Sequence, residues 1–235
     1  MDSSVGGKTG INLPQSKNMV GAFWQPETVL IDVDVLDTLD DRNYRAGMAE
    51  VIKYGLIMDA PFLEKLESNV DALLNRNKEL LVDVIRHCCQ CKSTVVQEDE
   101  RETSGRRAIL NYGHTIGHAI ESVCGYGKYL HGEAISIGMV AEADLGRQLG
   151  MIDMKAVDRH AAIFEAYGLP TKVPAGLENE LIDAMFRDKK VAQGKLNFVL
   201  PTAIGSVTLV EAPSKVQLQD CLKRNSAPQS DHAEL

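Results

Sequence analysis

The apolar positions change their period along the chain. Residues 1–30 hold no sustained period and read as loops with short extended pieces. Val29-Leu-Ile-Asp32 is a short apolar run that fits a buried strand. From about Arg42 the apolar residues recur at helical spacing. Helices are expected over 42–58, 61–75, 78–98, 107–123, 131–149, 153–167 and 176–187. Asp59-Ala-Pro61 marks a helix start with proline tolerated in its first turn. Gly150 and Gly168, the latter followed by Pro170, mark helix stops. The period then shifts: 195–200 and 206–210 read as two strands joined by Pro201-Thr-Ala-Ile-Gly205, a hairpin signal. A short helix over 214–224 follows, and the polar tail 225–235 reads as disordered. The chain holds no internal repeat and no low-complexity block.

At 235 residues the chain is one large domain or two small ones. Its 44% apolar content supports a real core. A net charge of −8 argues against a nucleic-acid surface but leaves room for a local basic pocket. There is no signal peptide and no apolar run long enough for a bilayer, so no membrane partner is expected. Five cysteines, at 88, 89, 91, 124 and 221, form no framework, which points to a reducing, cytoplasmic setting. Chemistry-bearing sequence begins at residue 2, where domains usually have an uninformative tail. The expectation is a chain that lacks an upstream portion.

Half of the six histidines fall in Arg107-Ala-Ile-Leu-Asn111-Tyr-Gly-His114-Thr-Ile-Gly-His118-Ala-Ile-Glu121 and the following His131-Gly-Glu133. On a helix, residues four apart share a face at an axial offset of about 6 Å, so His114 and His118 point into one volume. A single histidine on an apolar helix is usually a core residue. Two on one face, with a third after the turn Gly125-Tyr-Gly127, favour a metal, with His131 and a carboxylate as further ligands. Thr115 stands where the metalloprotease helix has its glutamate, so that chemistry is not indicated.

Glu50 and Lys53 are three apart among Met48, Ala49, Val51 and Ile52. A surface ion pair is the ordinary reading of such spacing. The apolar neighbours argue instead for a largely buried helix, in which Glu50 needs a partner that a metal would supply. Gly6-Gly-Lys8-Thr9 is no P-loop, because Asp2 occupies the position of its first glycine. Glycine amides and a lysine still suit an anion, though a plain turn explains them equally. Asp188-Lys189-Lys190 and Lys195, with Lys8, Lys17, Lys92 and Arg107, line an anion pocket or else a solvated loop. Asp99-Glu-Arg-Glu102 reads as a solvated charge run, and Cys88, Cys89 and Cys91 as packing residues.

Taken together, Asp2-Ser-Ser-Val-Gly-Gly-Lys8-Thr-Gly-Ile-Asn, Lys17-Asn18, Gly47-Met-Ala-Glu50-Val-Ile-Lys53, Asp99 to Glu102, the Arg107 to Glu121 run, His131-Gly-Glu and Asp188-Lys-Lys190 resemble 3-dehydroquinate synthase. The motifs stand in family order from residue 2 to about 210. The resemblance implies an α/β plus all-α fold: a remnant of an N-terminal Rossmann-like NAD-binding domain over 1–40, then a mainly helical metal- and substrate-binding domain with a small β-hairpin over 41–224. It implies a lyase of the shikimate pathway to aromatic compounds. Such an enzyme converts 3-deoxy-arabino-heptulosonate 7-phosphate, a phosphorylated sugar acid, into 3-dehydroquinate and phosphate, with transient use of NAD. The cofactors implied are NAD and Zn2+ or Co2+, and the assembly implied is a homodimer.

By motif match, Glu50, His114 and His131 are the metal ligands, and His118 becomes a proton-handling residue rather than a ligand. Glu102 matches the proton acceptor. Lys53 joins the catalytic set and, with Asp2 and Lys92, holds hydroxyl and carboxylate groups; Arg107 holds the carboxylate. Lys8, Asn18, Asn111 and Lys190 surround the phosphate. Lys17, Val35, Leu36, Asp37 and Thr38 match cofactor-contacting positions, and Lys8 touches the cofactor too.

Two departures bear on this. No glycine-rich dinucleotide fingerprint is present, since Gly125-Tyr-Gly127-Lys-Tyr-Leu130 lacks its third glycine and lies among helices. Ser104-Gly-Arg106-Arg107 is one residue longer than the family spacing, so Arg106 competes with Arg107 for the functional role. The alternatives are another sugar phosphate cyclase, a metal-dependent polyol or alcohol dehydrogenase, and a non-catalytic metal-binding fragment.

Overall fold

Fourteen of the eighteen residues of one helix, His131–Gln148, are buried, and most of the helical part of the protein is arranged around it. Its near-continuous run of Gly, Ala, Ile, Met and Val leaves it without a polar face, so it is covered on several sides. A computed structural model describes residues 2–13, 16–125, 127–189 and 196–228; the side chains of 12, 13, 16–19, 188 and 189 are not among those described.

In chain order the described elements are β1 (Lys8–Leu13), β2 (Ser16–Phe23), a 3₁₀ turn (Val33–Thr38), α1 (Asp41–Met58), α2 (Ala60–Glu67), α3 (Val70–Leu74), α4 (Lys78–Glu98), a second 3₁₀ turn (Arg106–Asn111), α5 (His114–Cys124), α6 (His131–Gln148), α7 (Met154–Ala166), α8 (Glu178–Lys189), β3 (Asn197–Ala203), β4 (Ser206–Glu211) and α9 (Lys215–Asn225). They form two compact units, Met1–Asp40 with Asp71–Arg107, and Asp41–Val70 with Ala108–Leu235. Residues 71–107 therefore group with the first forty rather than with the helical unit. No described helix is long and apolar enough to cross a membrane.

In the first unit β1 and β2 pair antiparallel, with Lys8 opposite Phe23 and Ile11 opposite Val20. The run 29–32 is not a strand. Val29, Leu30 and Ile31 are exposed, because no described strand offers them a ladder partner and β1 and β2 pair only with each other. Lys78 at the head of α4 bridges Asp34 and Asp37 of the 3₁₀ turn at 2.6 and 2.7 Å, and these bonds raise its pKa.

In the second unit α6 packs against α1, α5, α7, β3 and α9. The core joins Ile116 and Ile120 of α5, Ile137, Ala141 and Leu145 of α6, Leu181 and Met185 of α8, Phe198 and Leu200 of β3, and Leu218 and Leu222 of α9. Phe198 opposite Val210 and Leu200 opposite Thr208 set the register of the β3–β4 hairpin.

Two expected helices are each divided. The 61–75 stretch breaks at Ser68-Asn69, where both side chains bond back to carbonyls of the preceding turn. The 107–123 stretch is a 3₁₀ turn and then α5, because Gly113 adopts φ +79 and interrupts the helical backbone. The start of the expected tail is placed in the fold. Asn225 is buried and bonds Asp144, and Ser226 bridges Val173, while 229–235 lie outside the described residues.

Candidate metal centre and anion cluster

Three helices of the second unit bring the metal-type side chains together. At the start of α6, a Cβ on Gly132 would lie 1.8 Å from the carbonyl oxygen of Ala46, so only glycine lets α1 pass this close. Glu50 stands one turn beyond Ala46 on α1, and His131 precedes Gly132. That crossing places Glu50 near His131, and α5 starts with His114 beside both.

The rings of His114 and His131 are 5.3 Å apart, those of His114 and His118 5.3 Å, and those of His118 and His131 5.8 Å. One ring nitrogen from each histidine lies within 4.8 Å of the others. His114 Nε2 is 3.7 Å from Glu50 Oε1. The other ends of these groups are held. His114 Nδ1 meets the Tyr112 carbonyl at 3.0 Å; a carbonyl only accepts, so Nδ1 carries the proton and Nε2 offers its lone pair. His131 Nδ1 donates to Glu121 Oε2 at 3.1 Å, which leaves its Nε2 unprotonated in the neutral ring. Lys53, 3% exposed, donates to Glu50 Oε2 at 2.7 Å and to the Leu110 carbonyl at 2.8 Å.

Burial raises the Glu50 pKa, but the Lys53 ammonium and the His114 ring outweigh it and hold the carboxyl down at about 2. Burial, with the Lys53 charge, lowers His114 to about 3, so its imidazole is neutral at physiological pH. Glu50 Oε1 is nevertheless buried without a hydrogen-bond partner among the described residues. An ionised oxygen left unpaired in this way is costly unless a cation meets it. A carboxylate oxygen from α1 and imidazole nitrogens from α5 and α6 fit a zinc-type ion.

The first unit carries a separate charged cluster. Lys8 Nζ bonds Glu102 Oε1, and Arg107 Nε lies 3.4 Å from the same oxygen. Arg107 is 4% exposed and donates to the carbonyls of Glu100 and Gly6. Arg106 instead pairs with Glu98 at the surface. Lys92 bonds the Asp2 carbonyl at 2.7 Å, and its ammonium is 3.8 Å from the Asp2 carboxylate.

Glu100, Arg101 and Glu102 are exposed, as their charges suggest, but Asp99 departs from the solvated reading. Asp99 is buried, and its carboxylate accepts the amides of Thr103, Ser104 and Arg107; the amide bonds from Ser104, Arg107 and Thr103 outweigh burial and lower its pKa to about 2. Glu102 itself adopts φ +54, a left-handed conformation that costs a non-glycine residue about 1 kcal/mol. Such strain at a charged residue between Lys8 and Arg107 fits a functional position.

Other expected positions are placed as follows. Asn111 is exposed at the end of the second 3₁₀ turn. Val35, Leu36, Asp37 and Thr38 lie in the first, where Asp37 is engaged by Lys78 and Thr38 bonds back to the Val35 carbonyl. Lys17 and Asn18 lie on β2. Lys190 and Lys195 fall outside the described residues. Two further acids, Glu121 and Glu142, also serve this region. An acid inside an otherwise apolar helix was the available signal, since it must find a partner.

A family model described as 3-dehydroquinate synthase C-terminal matches residues 47–191, and one described as 3-dehydroquinate synthase N-terminal matches residues 1–46. The chain belongs to the 3-dehydroquinate synthase family. Curated relatives named 3-dehydroquinate synthase include one from Teredinibacter turnerae, 51% identical over 95% of this chain and 62% of its own length. Another, from Acidithiobacillus ferrooxidans, is 53% identical over 89% of this chain and 57% of its own length. The chain thus spans about three-fifths of these 3-dehydroquinate synthases.

Among solved structures, 2-epi-5-epi-valiolone synthase from Streptomyces hygroscopicus subsp. jinggangensis 5008, with NAD+ and Zn2+ bound, has a TM-score of 0.85 at 27% identity, covering 94% of this chain and 61% of that one. A 2-deoxy-scyllo-inosose synthase complexed with carbaglucose-6-phosphate, NAD+ and Co2+ has a TM-score of 0.81 at 26% identity, covering 95% of this chain and 64% of that one. The mainly helical fold with its small hairpin is the fold of these sugar phosphate cyclases.

Proposed function

We propose that this chain is the metal-binding part of a 3-dehydroquinate synthase, which converts 3-deoxy-arabino-heptulosonate 7-phosphate to 3-dehydroquinate and phosphate. The observation that carries the reading is the meeting of ring nitrogens from His114, His118 and His131, with Glu50 Oε1 3.7 Å from His114 Nε2 and the Nδ1 of His114 and of His131 each held by a separate acceptor. These three residues hold Zn2+ or Co2+. The ion supplies Lewis acidity to a substrate hydroxyl. Lys53 fixes Glu50 so that one oxygen faces the ion. His118 stands beside the two ligand histidines, where it moves a proton to or from the substrate.

Lys8 and Arg107 supply the fixed positive charge that a leaving phosphate and a carboxylate require, with Asp2, Lys92, Asn18, Asn111 and Lys190 completing the substrate contacts. Glu102 takes up a proton between those two cations. NAD is the second cofactor, contacted by Lys8, Lys17 and by 35–38. Among the described residues there is no glycine-rich strand-to-helix turn, so the chain's own share in holding NAD is limited to these positions. The enzyme works in the cytoplasm as a homodimer. The 3-dehydroquinate specificity is preferred over a sister cyclase because the curated relatives at 50% identity or above carry that name, while the sister cyclases stand at 26–27%.

The test combines metal content with turnover. The chain is expected to bind one Zn2+. Glu50→Gln, His114→Ala and His131→Ala should each abolish stoichiometric binding, and His118→Ala should leave it intact. With zinc, NAD and the heptulosonate phosphate, phosphate and dehydroquinate should appear together and in equal amounts. Equal zinc binding by the Glu50→Gln and His114→Ala variants would refute the ligand assignment. Phosphate release without dehydroquinate would refute the substrate.

A further inference from the structure

Glu142 is fully buried near the middle of α6, eleven residues beyond His131 on the same helix. Its carboxylate reaches α5. Oε2 accepts the backbone N–H of Gly113 at 2.7 Å, and Oε1 faces the N–H of Ile116 at 3.4 Å. These two amides flank His114, the first residue of α5. The first amides of a helix lack partners within it and carry partial positive charge, so an anion there is favoured. Gly113 is the N-cap residue and has no side chain to supply an acceptor, and α5 shows no side-chain cap of its own. Glu142 serves instead, from the neighbouring helix.

The approach that allows this is close. A Cβ on Gly138 would fall 2.0 Å from the Gly113 carbonyl oxygen, and one on Gly113 would fall 2.4 Å from Met139 Cγ. Tyr112, immediately before the turn, donates its hydroxyl to the Met139 carbonyl at 3.0 Å while its own carbonyl receives His114 Nδ1. The 112–116 segment is therefore fastened to α6 at three points around one histidine, by two backbone amides and one side-chain hydroxyl. His131 rises from the head of that same α6.

We propose that Glu142 is a positioning residue for the metal centre: by binding the Gly113 and Ile116 amides it fixes His114 against the helix that carries His131. This rests on the reading of His114 and His131 as metal ligands. Removing such an outer partner typically lowers metal affinity about 10- to 100-fold.

The experiment titrates the chain with Co2+, following the visible d–d bands for coordination geometry and the affinity for strength, in wild type, Glu142→Gln, Glu142→Ala and His114→Ala. Glu142→Gln keeps one acceptor oxygen. It is expected to bind Co2+ roughly tenfold more weakly with shifted bands, and Glu142→Ala still more weakly. Amide hydrogen exchange of the metal-free wild type, which needs no variant to fold, should show Gly113 and Ile116 protected as strongly as mid-helix amides. A folded Glu142→Gln chain with wild-type affinity and bands, or rapid exchange at both amides, overturns the inference. Full Co2+ affinity in His114→Ala, by contrast, overturns the ligand reading beneath it, so the two failures are distinguishable.

Discussion

His131, at the head of α6, directs its Nδ1–H to Oε2 of Glu121 on α5, 3.1 Å away. Glu121 is buried, whereas the His131 side chain is 45% exposed, so the carboxylate is the fixed member of the pair and the ring takes its orientation from it. Glu121→Ala should weaken Zn2+ or Co2+ binding about 10- to 100-fold, and Glu121→Gln, which keeps an acceptor, should weaken it less. Competition against a chromophoric chelator reads this directly. An unchanged affinity in Glu121→Ala would mean that the ring needs no such guide.

Lys53 and Glu50 form a largely buried ion pair. Lys53→Met leaves the Glu50 carboxylate uncompensated and should cost the metal-free chain about 3 kcal/mol, the low end for breaking such a pair. The double variant Lys53→Met/Glu50→Gln should recover part of that loss, because no charge is then stranded. Urea denaturation of the four members of the cycle checks it; strictly additive losses would show that the two groups are not coupled.

His160 is fully buried on α7, packs edge-on to Tyr112 at 6.0 Å, and has no hydrogen-bond partner for Nε2 among the described residues. Burial lowers its pKa from 6.5 to about 4. Between those values the unfolded chain takes up a proton that the folded chain refuses, so this residue's contribution to stability falls as pH drops from 6.5 towards 4. His160→Phe should flatten that part of the profile. Urea midpoints at pH 7, 5.5 and 4.5 provide the comparison, and parallel profiles for variant and wild type would contradict it.

Gly113→Ala combines two penalties, a positive φ and a Cβ 2.8 Å from the Ile135 carbonyl oxygen. The expected loss is about 3 kcal/mol, from left-handed strain plus overpacking. Gly105→Ala has the same φ of +79 but meets nothing within 4 Å, so it should lose only about 1 kcal/mol. Thermal unfolding of the two variants side by side separates the terms, and equal losses would rule out the packing contribution.

Most of the helices, the C-terminal hairpin and the shared face of His114 and His118 were legible in the local sequence. These depend on local period and on residues a few positions apart, which a chain carries wherever it folds. The local sequence also marked Glu50 as a buried acid in need of a partner, from its apolar neighbours alone. The tertiary structure decided what those partners are. Glu50 comes near His131 because Gly132 lets α1 cross the head of α6, and Glu121 and Glu142 acquire their bonds only where α5 lies on α6. Asp99 looked like solvated charge until the loop closed over it and aimed three amides at its carboxylate. The apolar run 29–32 looked like a strand, but a strand exists only where another offers its ladder, and that is a property of the assembled chain rather than of the segment.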